Sequence, residues 1–143
     1  DDALHATKAA IEEGIVPGGG LALLYASSGI EVNSTGASIV VAACKKPFNQ
    51  ILVNAGFDDV KGQILADSLV NSGNDGWLGY NIKTDETVDM KEAGIIDPTK
   101  VSRTALQNAA SVAGTVLLTE CTVVNEPSDN IQQPQMDPMM GMM

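Results

Sequence analysis

Three consecutive glycines, Gly18-Gly19-Gly20, separate an Ala-rich stretch ending in Glu12-Glu13 from the apolar run Leu21-Ala22-Leu23-Leu24. Glycine loses more backbone entropy on folding than any other residue, so a run of three persists where a side chain would collide with a neighbour or where φ must be positive. The chain therefore breaks here between two helices and leaves its backbone bare. What comes close to that backbone is either another part of the fold, as in an ordinary turn, or a nucleotide. Amides at a glycine-rich helix start are natural partners for anions and for flat cofactors.

With 143 residues the chain has the length of one domain and can bury a core. It is 44% hydrophobic but only 3% aromatic. A core of Ala, Val, Ile and Leu suits close-packed helices better than a β-sandwich. A net charge of −10 repels a phosphate backbone, and the few lysines form no stripe, which argues against nucleic acid. Cys44 and Cys121 lie far apart in apolar stretches, with no Cys/His cluster to hold a metal. Both are expected to be buried, reduced thiols, as in a cytosol-like compartment. No signal peptide opens the sequence and no apolar run reaches the ~18 residues of a membrane span. The expectation is a soluble, intracellular protein without membrane contact. Asp1 to Ile11 is helical in pattern from the first letter, with no Ser or Thr before it. Either Asp1 serves as the cap or the chain was cut from something longer.

Local signals divide the remainder. Leu21–Ser27 reads as a short helix and residues 28–36 as a loop, with Ser34 or Thr35 capping a helix that ends at Lys45-Lys46 before Pro47. Pro47 opens the next helix, which Gly56 closes, and Asp58 to Val70 forms another with Val60, Ile64, Leu65 and Leu69 on one face. Trp77–Ile82 and Thr84–Val88 predict a small hairpin, followed by a short helix from Val88 to Ala93. Asp97 is placed as N-cap and Pro98 as first residue of a long Ala-rich helix running to Leu118. The β-branched run from Thr119 to Val124 predicts an edge strand. The fold class is thus mainly α, with a small β-hairpin and a C-terminal edge strand, over residues 1–124. Residues 125–143 read as a flexible Met-rich tail, because five of the six methionines fall in the last eight positions.

A nucleotide-hydrolysing site needs an acid to orient water, acceptors for the ribose and donors for phosphate or base. Asp2 and Asp97 are the candidate acids. Each also has a purely structural reading, Asp97 as a helix cap and Asp2 as a solvated charge beside Asp1. Glu12 and Glu13 read as a wet helix face. His5, the sole histidine, lacks a nearby Ser or Cys nucleophile and reads as a surface residue. There is no GxxxxGK[ST], HRD or DFG.

Four passages in order, Asp2-Ala3-Leu4-His5-Ala6-Thr7-Lys8-Ala9-Ala10, Glu12 to Gly20, Gly79-Tyr80-Asn81 and Gly94-Ile95-Ile96-Asp97-Pro98-Thr99-Lys100-Val101, closely resemble the carboxy-terminal part of group I chaperonins, the GroEL family. Ser111-Val112-Ala113-Gly114 and Thr119-Glu120-Cys121 continue the likeness, and the Met/Gly ending is similar to that family's tail. The resemblance implies the second half of the equatorial domain, which binds ATP and forms the ring.

By that resemblance Asp2 matches the acid that positions the hydrolytic water. Gly19 matches the close approach to the nucleotide, Asn81, Ile82 and Lys83 the stretch that meets adenine, and Asp97 the acceptor for the ribose hydroxyls. Thr119 to Val123 matches a strand of the intersubunit sheet. The family further implies ATP hydrolysis in the complete subunit, with Mg and K ions held mainly by residues outside this chain. Its partners are identical subunits in a double heptameric ring, a lid co-chaperonin and unfolded polypeptide clients. The compartment implied is bacterial or phage-infected cytoplasm, or alternatively a mitochondrial or plastid matrix. Three departures stand out: residues 28–36 form a shorter loop than is usual, Ile82-Lys83 replaces small residues, and the tail is abbreviated. The family's phosphate-cradling loops, metal-binding Asp, apical domain and hinges belong to parts this sequence does not contain. The expectation is half of an ATP site, inactive alone, with a non-catalytic module that docks onto full-length subunits as the alternative.

Overall fold

A computed structural model describes residues 2–73 and 75–125. It is mainly helical, in the order α1 (Asp2–Glu13), β1 (Ile15–Pro17), α2 (Leu21–Ser28), α3 (Thr35–Asn54), α4 (Asp59–Asn71), β2 (Leu78–Asn81), β3 (Glu86–Asp89), β4 (Ile96–Pro98) and α5 (Thr99–Leu118). Helices α2, α3 and α4 with the β2–β3 hairpin enclose the core of Leu21, Leu24, Phe48, Leu52, Ala66, Leu69 and Met90. Helices α1 and α5 lie against each other beside the two-stranded β1–β4 sheet, and neither contributes a fully buried residue. Leu52 is 1% exposed, so Leu52→Ala removes a side chain that neighbours cannot easily replace. A loss of ~2–5 kcal/mol in urea unfolding is expected.

Local capping chemistry acts where the side chains predict. Ser34 accepts from the Ala37 amide at 3.2 Å and Asp58 from the Lys61 amide at 2.7 Å, each satisfying an otherwise orphaned helix-start donor. Gly56, at φ +91, takes the left-handed position just beyond α3.

Several expectations are corrected by packing. Pro47 does not end a helix; it lies inside the continuous 20-residue α3. Proline in a helix interior costs ~3 kcal/mol, but Cys44, Phe48 and Leu52 recur every fourth residue on the buried face and straddle it. Burying three such side chains outweighs the lost bond. Val60 and Ile64 stay 67% and 64% exposed; of the expected face Leu69 is buried and Leu65 packs against the core, with Gly62 and Ala66 turned inward beside them. At Gly62 an added Cβ would lie 3.6 Å from Leu52 Cδ1, an ordinary contact, so this buried glycine is not required by crowding. The segment after β3 is a capped turn and not a helix: the Asp89 carboxylate accepts from the amides of Lys91 and Glu92, and Gly94 at φ +70 reverses the chain.

Thr119 to Asn125 makes no strand among the described residues. A strand exists only when its backbone groups meet a partner ladder, and no described segment supplies one. Cys44 is buried as expected, and burial pushes its thiol pKa up, whereas Cys121 is exposed beyond the end of α5. The Met-rich tail lies outside the described residues apart from Asn125. Among the described residues no helix is long and apolar enough to cross a membrane, and no three His, Cys, Asp or Glu gather as a metal site.

Candidate functional site

The glycine run forms a hub. The Gly18 amide donates to the Ile95 carbonyl at 2.9 Å, stitching the end of β1 to the approach to β4. Gly19 and Gly20 follow at φ +68 and +79, and Gly20 becomes the N-cap of α2. A Cβ on Gly20 would sit 2.6 Å from the Phe48 amide nitrogen and 2.9 Å from its Cα. The collision predicted for this run is therefore with the backbone of α3. Beside it, the Gly19 amide meets no acceptor among the described residues.

Gly19 opens onto a cleft of about 550 Å³ whose floor and walls include Leu21, Phe48, Ile51, Met90 and Ile95, with Tyr80, Asn81, Ile82 and Lys83 along the hairpin side. Hairpin pairing runs from Leu78 opposite Asp89 to Asn81 opposite Glu86, which puts Asn81 at the tip. The Asn81 carboxamide oxygen accepts from the Lys83 amide at 3.0 Å, and the side-chain nitrogen meets no acceptor among the described residues. Gly79 lies beneath: a Cβ there would fall 2.4 Å from both Leu21 Cδ1 and Met90 Cγ. The cleft is apolar with a few polar groups at its edge, the usual character of a site for a flat organic group. Thus four of the six candidate residues, Gly19, Asn81, Ile82 and Lys83, come together from segments about 60 positions apart.

Asp97 and Asp2 lie elsewhere. Asp97 does not cap α5, whose N-cap is Pro98. It lies in β4 opposite Val16 of β1, and the first helical amide, that of Thr99, is taken by the Gly14 carbonyl at 3.1 Å. The Asp97 carboxylate meets no donor among the described residues, and desolvation by burial pushes its pKa above the usual carboxylate range. A raised folded-state pKa gives stability that is greatest below the ordinary carboxylate value and lost as pH rises through the raised one. Asp97→Asn is therefore expected to stabilise the chain at pH 7. The gain should shrink as pH falls through the raised value and be gone below about pH 4 in denaturation midpoints measured across pH. Asp2, exposed in the first turn of α1, lines a separate groove of about 600 Å³ between α1 and α5 together with His5, Glu12, Pro98, Lys100 and Thr104.

Two ion pairs hold that groove's helices together. Glu12 pairs with Lys100, and the Glu13 carboxylate receives both Nε and Nη2 of Arg103 at 2.9 and 2.6 Å. The Arg103 hydrogen bond holds the Glu13 carboxyl below its usual range. These glutamates are thus not merely a wet face. The missed signal was two acids in the last turn of one helix and two cations three residues apart in the first two turns of another. Phe48, Ile51, Met90 and Ile95 had no such signal, since apolar residues lining a cleft look like core residues in sequence.

The TCP-1/cpn60 chaperonin family matches residues 1–127 of the chain. Among solved structures, a group III chaperonin in its open state is similar at 31% identity with a TM-score of 0.70, over 80% of this chain and 25% of that one. The chain thus spans about a quarter of the length of that chaperonin. With the family matched across nearly the whole sequence and the likeness extending to the helical fold, the chain belongs to the TCP-1/cpn60 chaperonin family.

Proposed function

We propose that the chain serves as the carboxy-terminal equatorial portion of an ATP-dependent ring chaperonin that assists the folding of non-native proteins. The observation that carries this reading is the meeting of Gly19 with Asn81, Ile82 and Lys83 around one apolar cleft, with a bare amide at its edge. The base enters the cleft, Asp97 takes the ribose hydroxyls and Asp2 orients water at the terminal phosphate. ATP is the nucleotide, and Mg and K ions neutralise the triphosphate from ligands elsewhere in the subunit. Within that reading the ring is of the group I type, a double heptamer closed by a lid co-chaperonin in a bacterial-type cytoplasm. Unfolded polypeptides are its clients. The subunit contacts include the Thr119–Val123 segment, which becomes a strand when a neighbour supplies the ladder.

Co-expressing the chain with the remaining portion of a group I subunit tests the proposal. Rings on size-exclusion chromatography that hydrolyse ATP are the expected result; assembly without turnover would favour a non-catalytic module docking onto full-length subunits. The exposed α5 favours that second reading as far as docking goes, since Val101, Val112, Val116, Leu117 and Leu118 all face solvent.

A further inference from the structure

The four-residue connection Ile82–Asp85 at the hairpin tip contains the one non-glycine residue with positive φ among those described, Asp85 at +59°. Glycine takes this conformation without penalty, and aspartate merely tolerates it. The side chain explains the choice. The Asp85 carboxylate accepts the hydroxyl hydrogen of Tyr80, a charge-assisted bond that reaches across the connection. The Tyr80 ring is itself fixed edge-on against Phe57, with centroids 5.7 Å apart, and the Phe57 amide donates to the Leu52 carbonyl of α3 at 3.0 Å. Backbone bonds close the same turn: the amides of Thr84 and Asp85 both donate to the Asn81 carbonyl, at 3.2 and 2.9 Å.

We propose that Tyr80 and Asp85 form a latch that anchors the hairpin tip to the α3–α4 joint and holds Asn81, Ile82 and Lys83 in one arrangement along the cleft. Both are positioning residues, a role that rests on the reading of this cleft as a nucleotide-base site. The latch matters because, apart from the hydrogen bonds to Asn81, the tip stands exposed. Lys83, Thr84 and Asp85 are exposed, and a loop that must be ordered on binding loses affinity to the entropy of ordering. An anchored tip meets that entropic cost before any ligand arrives.

Amide hydrogen exchange on the 143-residue chain, with Tyr80→Phe and Asp85→Gly beside the parent, separates the possibilities. Phe keeps the ring on Phe57, and Gly relieves the left-handed backbone, so each variant retains the fold while losing the bond. Protection of the residue 84 and 85 amides, each taken against its intrinsic exchange rate, is expected to fall by about fivefold or more in both. If Asp85 were present only to make the turn, Asp85→Gly would exchange as slowly as the parent, and the latch would be overturned. Adenosine, a probe that needs no phosphate site, supplies the second readout by NMR titration. Weaker adenosine binding in both variants supports positioning; equal binding despite a loosened tip overturns it. A parent chain that binds no adenosine overturns the base-site reading and the positioning role with it, while the exchange rates still decide whether the latch exists.

Discussion

Gly20→Ala is expected to destabilise the chain by about 2–5 kcal/mol, lowering its thermal midpoint by on the order of 10 °C. Two effects combine at this position. A side chain at φ +79 carries a penalty of ~1–2 kcal/mol. The new Cβ would also press on backbone, 2.6 Å from the Phe48 nitrogen and 3.0 Å from the Pro47 carbonyl carbon, and backbone inside a 20-residue helix cannot swing aside as a side-chain tip can. Overpacking of this kind costs ~1–3 kcal/mol or more. Gly56→Ala is the control, since Gly56 has φ +91 but nothing within 4 Å of an added Cβ. It should lose only the conformational part, ~1–2 kcal/mol. Equal losses for the two variants in thermal and urea denaturation would show that the approach of α3 is not what holds Gly20 in place.

The second large effect concerns Asp2. Under the proposed function, Asp2→Asn in the assembled ring lowers the turnover number for ATP by ~10²–10⁴-fold, the range that positioned acid–base groups contribute. ATP affinity should change little, because the carboxylate acts on water and the base is held in the cleft some distance along the fold. Asparagine preserves size and the start of α1, so a folding defect is not expected. Steady-state hydrolysis beside nucleotide titration reads the two quantities separately. Unchanged turnover would reduce Asp2 to the solvated surface charge that its neighbour Asp1 also permits.

The position of Asp97 shows how far local rules reach. Its Asp-Pro-Thr context is a helix-start signal, and a helix does start there. Yet the pairing of β4 with β1 draws Asp97 into a strand, and the Gly14 carbonyl takes the helix amide that an aspartate cap would have received. A side chain released from capping is available for a ligand, which is the role the family resemblance implies for it. Pro47 makes the converse case: a strong local stop is overridden because burial on both sides of it is worth more than one hydrogen bond.

The amino-acid sequence alone determined the helical class, the hairpin, the caps at Ser34 and Asp58 and the breaks at the glycines, because each follows from chemistry within a few residues along the chain. Membership of the chaperonin family, at the level of TCP-1/cpn60, was also legible in four short passages. Tertiary structure alone decided which face of α4 turns inward, that α3 runs through its proline, and that Gly19 and Asn81 line one cleft while Asp2 lines another groove. Those outcomes depend on which surfaces exclude water together, and the distance in space between residues 19 and 81 is set by packing that no local spacing encodes.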